Sequence, residues 1–253
     1  MVEAVSFIAG GRAALASIDA AAGGSVRPQS TPPEKPGGER WRLPAPSKPT
    51  LCEVFSNHPR DAGWAGFIAA QLGNGPILWV QERMAIIEAG RVHAPGLPGL
   101  DLVHVSARDA KSALWAMEEG LRCDALGAVI GELWAEPSAL DFTATRRLAF
   151  AAEKSGVPCW LVRVGAGGAN LSGARFRWRL ESAPSLANPL DAKAPGKPAW
   201  NVDLFRARGH PPGQWKIVHE PDAASPRSPF RLDLAAPTVG GALAKAGRRI
   251  ASG

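Results

Sequence analysis

The residues best placed to do chemistry follow the first strongly apolar run of the chain. LCEVF (residues 51–55) leads into SNHPRDAGWAG (56–66) and then an amphipathic stretch. A nucleotide-binding α/β domain carries its phosphate loop at such a place, because backbone amides at a helix N-terminus attract anions. A working loop of that kind also needs a lysine for the terminal phosphates and a hydroxyl for magnesium. Here Gly63 is followed by Trp64 and Ala65, so both functional side chains are missing. Arg60 brings a positive charge, but it reads first as a surface arginine beside Asp61. The companion acid of such a site stands at the carboxyl edge of a central strand, and LGAVIGEL (126–133) places Glu132 there. With no lysine or hydroxyl opposite it, Glu132 reads as a structural cap or a partner contact before a metal-binding acid. The remaining candidates form no constellation. His58, His93, His104, His210 and His219 are scattered, and neither a GxSxG elbow nor an HExxH pair occurs. The expectation is a protein without catalytic residues, metal or cofactor.

Composition narrows the classes further. The 253 residues are 45% hydrophobic and 21% charged, with 28 Gly and 23 Pro, enough to bury one sizeable core with appendages. No window approaches the roughly 18–20 apolar residues of a membrane helix, and the start, with Glu3, has no basic region before its apolar stretch. A cytoplasmic protein is expected. Cys52, Cys123 and Cys159 form no CxxC pair and read as small buried residues in a reducing compartment. Nine tryptophans occur without a tyrosine. Trp64 stands where a phosphate would sit and is a candidate anchor, whereas Trp115, on an amphipathic stretch, reads as core. The net charge of +6 is uneven: residues 1–150 hold 14 basic and 16 acidic side chains, and residues 151–253 hold 15 and 7. A polyanion, an acidic partner or a merely solvated surface would each account for that excess.

The elements that must position these residues follow from periodicity. Residues 1–23 fit a helix loosely, a possible docking segment, and residues 24–50 hold seven prolines and read as a linker. From residue 51 to 221, short apolar runs alternate with amphipathic stretches, the pattern of parallel strands joined by crossover helices. Strands are predicted over 51–55, 76–80, 101–107, 126–133 and 157–164. Helices are predicted over 63–72, from the cap Asp109 onward, and over 138–155 with Gly156 as the stop. After residue 164 the strands 174–182, 199–208 and 213–221 alternate without long helices between them, which predicts an antiparallel edge. Period two puts Arg175, Arg177 and Arg179 on one face and Phe176, Trp178 and Leu180 on the other. Residues 222–253 read as a basic, mostly disordered tail.

Together these stretches resemble the RecA-like core, and more closely the ImuA family of mutasome accessory proteins, related to RecA and SulA. The resemblance covers roughly residues 50–220. Its most specific part is the run DAKSALWAMEEGLRCDALGAVIGEL (109–133) followed by LDFTATRRLAFAAEKSGVPCWLVR (140–163), supported by PILWVQER, GRVHAPGL, ARFRWRLESAPS and WNVDLFRARGHPPGQWKI. It implies a role in damage-induced translesion synthesis beside an ImuB-like polymerase homologue, RecA and, indirectly, an error-prone C-family polymerase. Because the Walker lysine and hydroxyl are missing, ATP-driven strand exchange is not implied.

Three readings compete. The first is a non-enzymatic adaptor of a mutasome in the DNA-damage (SOS) response. The second is a direct DNA-binding protein whose phosphate contacts are Arg175, Arg177, Arg179, Arg206, Arg208, Arg248 and Arg249. The third is a residual nucleotide-binding ATPase using Arg60 and Glu132.

Overall fold

Ten strands pair edge to edge in a computed structural model that describes residues 2–8, 41–56, 58–191, 193–221 and 230–235. In chain order the elements are β1 (Val2–Ile8), β2 (Leu51–Ser56), α1 (Trp64–Ala69), β3 (Ile77–Glu82), α2 (Arg83–Ala89), β4 (Leu102–Ala107) and α3 (Ala110–Gly120). They continue with β5 (Ala128–Trp134), α4 (Phe142–Ser155), β6 (Cys159–Val164), β7 (Phe176–Ala183), β8 (Ala199–Ala207), β9 (Gly213–Pro221) and β10 (Phe230–Leu234). The order across the sheet is β1-β4-β3-β5-β6-β2-β7-β8-β9-β10. The six strands from β4 to β7 in that order run parallel, and β1 and β8–β10 add antiparallel at the two ends. The fold is therefore α/β, a mostly parallel sheet with antiparallel C-terminal strands, consistent with a RecA-like core.

Why these segments take these forms is local. The first six residues of β5 are all buried because it lies mid-sheet with both faces covered, which selects continuous apolar runs over alternation. Asp109 caps α3 by accepting from the Ser112 amide at 2.8 Å, and Asp141 caps α4 by accepting from the Ala144 amide at 2.7 Å. Gly156 ends α4 with φ of 79°, a left-handed turn that glycine takes without strain. The predicted start of α4 at residue 138 moves to Phe142, because Pro137 to Asp141 form a turn before the cap.

The sheet carries a core on each face. On one, α3 and α4 bury Leu114, Met117, Leu148 and Ala152 against Val80, Val129, Leu133 and Leu161. On the other, α1 and the segment around Leu97 bury Trp64, Phe67 and Ile68 against Trp79, Ile130, Trp160, Trp178 and Trp200. Gly131 lies where α3 presses closest on β5, since a Cβ there would run into the Met117 thioether.

Three expectations are revised. The opening segment, expected as a loose helix, has residues 2–8 as a strand on β4, with Val5 opposite Val105 and Ile8 opposite Leu102. Residues 230–234, placed within a disordered tail, pair with β9 as the outermost antiparallel strand at that end of the sheet, Leu232 opposite His219. Trp115, expected in the core, is 56% exposed on α3. Of the linker expected over 24–50, residues 41–50 are described, with Trp41 and Leu43 packed against the core; residues 9–40 and, of the tail expected over 222–253, residues 222–229 and 236–253 lie outside the described residues.

Candidate functional site

The loop after β2 is closed upon itself. Ser56 Oγ donates to the carbonyl oxygens of His58 and Asp61 at 2.6 and 3.2 Å, folding the segment back before α1. The Asp61 carboxylate then takes the donors that an anion would seek. Its Oδ1 accepts from the Gly63 amide at 3.1 Å and from Ser182 Oγ at 2.5 Å, while Oδ2 accepts from the Ser182 amide at 2.6 Å. Gly63 has no room above it, because a Cβ would lie 2.5 Å from Ser182 Oγ and 2.7 Å from Trp200 Nε1. The chain thus supplies its own anion where a phosphate loop would hold a foreign one. Ala65 packs partly buried against the core behind it. Arg60 is exposed, its amide donating to His58 Nδ1 at 3.2 Å, and its guanidinium has no ion pair among the described residues.

Trp64 is no exposed anchor. It is 2% exposed, and its indole Nε1 donates to Glu132 Oε1 at 3.2 Å. Glu132 is the hub of that face: Trp79 Nε1 donates to the same oxygen at 2.7 Å and Gln81 Nε2 to Oε2 at 2.9 Å. Gln81 extends the network by donating to the Gly90 carbonyl at 3.0 Å, accepting from the Val92 amide at 3.0 Å and meeting His104 Nε2 at 2.9 Å. Burial pushes the Glu132 pKa up, and its three N–H donors pull it back. Two oxygens receiving three donors is the arrangement of a satisfied structural carboxylate. A cavity of about 360 Å³ opens beside it, lined by small and apolar groups such as Gly66, Ala69, Val92, Leu97 and Trp200. Among the described residues no cluster of three or more His, Cys, Asp or Glu could hold a metal ion.

The expected basic face divides into three environments. Arg177 is buried, 3% exposed, and its Nε donates to Glu53 Oε2 at 2.6 Å. It is therefore withdrawn from any DNA contact, because Glu53, Phe55 and Phe205 pack around its guanidinium at the start of β7, between β2 and β8. Around it, Arg163 lies 3.9 Å from Glu53, and Ser172 Oγ donates to Glu53 at 2.8 Å. The Phe55 ring lies under both guanidiniums, 5.4 Å from Arg163 and 5.2 Å from Arg177. Arg179 emerges at the far end of the strand, paired with Asp203 at 3.3 Å and 4.2 Å from the Phe205 ring. Arg175 pairs with Glu153 of α4 at 2.9 Å, and the two arginines near it, Arg175 and Arg208, hold the Glu153 carboxyl below its ordinary range.

Arg206 and Arg208 are exposed and line, with Arg175, a second and larger groove against α4. Arg248 and Arg249 lie outside the described residues. Sequence reasoning missed Glu53, Arg163, Gln81 and Ser182. The available signal was a charge within an apolar strand, as in LCEVF and VPCWLVRV, which a chain tolerates only when the charge is paired.

No helix of the described residues is long and apolar enough to cross a membrane. No protein-family model matches the chain. It is 35% identical over 184 residues to the proteins described as Protein ImuA in two strains of Caulobacter vibrioides, NA1000 / CB15N and ATCC 19089 / CIP 103742 / CB 15. The match takes in 69% of this chain and 72% of each relative. With that identity over more than two thirds of both proteins, and an α/β core of the expected kind beneath it, the chain belongs to the ImuA family.

Proposed function

We propose that this protein is a non-enzymatic, RecA-like adaptor of the error-prone translesion synthesis machinery in the DNA-damage response, contacting an ImuB-like protein and RecA. Membership of the ImuA family supports the pathway. The observation that carries the adaptor role is the occupied phosphate loop: Asp61 spends the donors of Gly63 and Ser182, and Trp64 fills the space behind them. A core arranged in this way keeps the surfaces of its fold while giving up the charge neutralisation that phosphate chemistry requires. The same arrangement speaks against Arg60 and Glu132 as ATPase residues, since Glu132 is held by three indole and amide donors.

The arm of the adaptor is residues 1–23. β1 adds to β4 at an outer edge of the sheet, and a strand reached through a long connection can pair equally with the corresponding edge of a neighbour. The test is a nuclease-treated pull-down of the full chain against the ImuB-like protein and RecA of the same cell, at two salt concentrations. Retention of either partner after nuclease is expected, and deletion of residues 1–23 is expected to weaken it. Loss of both partners after nuclease overturns the reading. Thermal shift with ATP and magnesium completes the test. No stabilisation is expected, whereas a nucleotide bound at about 100 times its Kd would add ~2.7 kcal/mol.

Direct DNA contact is a second reading that one observation favours, the basic groove beside α4.

A further inference from the structure

We propose that the groove between α4 and the β7–β8 pair binds single-stranded nucleic acid, with phosphates on Arg146, Arg206 and Arg208 and bases stacked on Phe142 and Phe150. The groove is open, about 720 Å³, and these five residues line it together with Arg175. It rests on the second reading above, direct DNA contact, and not on the adaptor role.

The charge comes first. Glu153 is the one acidic side chain of the lining, and it is committed to Arg175 at 2.9 Å and to Thr50 Oγ1 at 3.1 Å. Arg146, Arg206 and Arg208 form no ion pair within 4 Å among the described residues, although Arg208 lies in the field of Glu153. Four guanidiniums, with Arg175, converge on one concavity that holds a single carboxylate, and a guanidinium fork matches phosphate geometry. Their convergence is built by the sheet. Arg177 stands opposite Arg206 while the next residue, Trp178, stands opposite Leu204, so Phe205 is an extra residue in β8. Strict alternation would put Arg206 and Arg208 on the face of Val202 and Leu204, which is buried core. The bulge at Phe205 shifts the phase by one and turns both arginines toward α4.

The aromatic residues then choose among anions. Phe142 and Phe150 are 41% and 67% exposed, large apolar rings left open on an otherwise buried-face helix. They are eight residues apart, about 12 Å along the helix axis, with Arg146 midway between them. Rings presented in this way are platforms, and a ring two-thirds exposed offers a flat base a face to stack on rather than a pocket for a peptide side chain. A cationic groove with spaced aromatic platforms is the arrangement that holds unpaired strands, since a duplex hides its base faces. The chain's own C-terminal residues 236–253 are no competitor for the groove, carrying Lys245, Arg248 and Arg249 and no acid.

The experiment is fluorescence anisotropy of the full chain with a labelled dT 20-mer at 50 and 200 mM salt. Binding is expected at the lower salt and should weaken about twentyfold at the higher, as three phosphate contacts on a single strand imply. Phe150→Ala is expected to lose about five- to 150-fold in affinity, the range for one base–aromatic stack. The pair Arg206→Glu and Arg208→Glu should lose more than tenfold and flatten the salt dependence. All three positions are exposed, so unchanged melting temperatures should confirm intact folds, and the pair Arg248→Ala and Arg249→Ala serves as the tail control. The proposal fails if the dT 20-mer does not bind at 50 mM salt, or if binding follows the tail pair and ignores the groove. It also fails if Phe150→Ala binds as the parent does, or if a 20-residue polyglutamate displaces the oligonucleotide at equal charge. That last outcome would make the groove a seat for an acidic protein segment.

Discussion

Replacing Glu53 by glutamine removes one negative charge from the interior and leaves two positive ones. Glu53 and Arg163 are fully buried and Arg177 is nearly so, and among the described residues Glu53 is the one carboxylate within 4 Å of either guanidinium, at 2.6 Å from Arg177 and 3.9 Å from Arg163, with Glu136 acting on Arg163 from further off. Burial already pulls the Arg163 pKa down, with the charge of Glu53 pushing it back up. Breaking a buried pair by deleting one partner costs ~3–5 kcal/mol, because the survivor's desolvation is no longer offset. A native domain holds only ~5–15 kcal/mol in all, so Glu53→Gln should remove a large part of the stability. The assay is equilibrium urea unfolding. At a slope of ~2 kcal/mol per molar, a loss of ~4 kcal/mol lowers the midpoint by about 2 M. Asp203→Asn is the control: it breaks the half-exposed pair with Arg179 and should cost ~0–1 kcal/mol. The triple replacement Glu53→Leu, Arg163→Met and Arg177→Met should recover most of the loss, since apolar groups of similar volume carry no desolvation debt. A Glu53→Gln midpoint within about 0.5 M of the parent would refute the account, as would equal losses for Glu53→Gln and Asp203→Asn.

His104 is buried against Gln81, and desolvation, helped by Arg91, lowers its pKa to about 4. The unfolded chain therefore binds the extra proton first as pH falls, so this stability is full above pH ~6.5 and drains between ~6.5 and ~4. Unfolding measured at pH 7 and pH 5 should show about 2 kcal/mol more loss in the parent than in His104→Gln, and equal losses would reject it. Trp64→Ala should cost ~3–5 kcal/mol by emptying a buried indole site beneath Glu132, while Trp115→Gln should stay within about 0.5 kcal/mol, both read from urea midpoints. Cys123 is exposed, whereas Cys52 and Cys159 are buried with their thiol pKa values pushed up, that of Cys52 to about 12. One thiol should react with a disulfide reagent in the native state and three after denaturation, and two or more native reactions would contradict the burial.

The local grammar of the core is legible within short windows of the chain. Continuous apolar runs marked the strands from β2 to β6, Asp109 marked the start of α3 and Gly156 the end of α4, because caps and periodicity are settled within a few residues. The broken phosphate loop was legible in the same way, since Trp64 and Ala65 follow Gly63 directly. Tertiary structure decided everything that depends on what lies across a sheet or over a helix. ARFRWRL alternates faithfully, yet alternation assigns faces without saying which face is covered, and the neighbours β2 and β8 bury Arg177. The single extra residue at Phe205 then reverses the phase of β8, and nothing within AWNVDLFRAR announces it, because a bulge is a property of two strands. Strands β1 and β10 carry no clear strand pattern of their own for the same reason: each acquires its form by pairing with the edge of another strand, β4 or β9. Asp61 meets Ser182 across 121 residues and Glu53 meets Arg177 across 124. Those long-range partners, absent from any local window, turn a loop that once looked like a phosphate site into a closed one, and a basic stripe into a buried pair and an open groove.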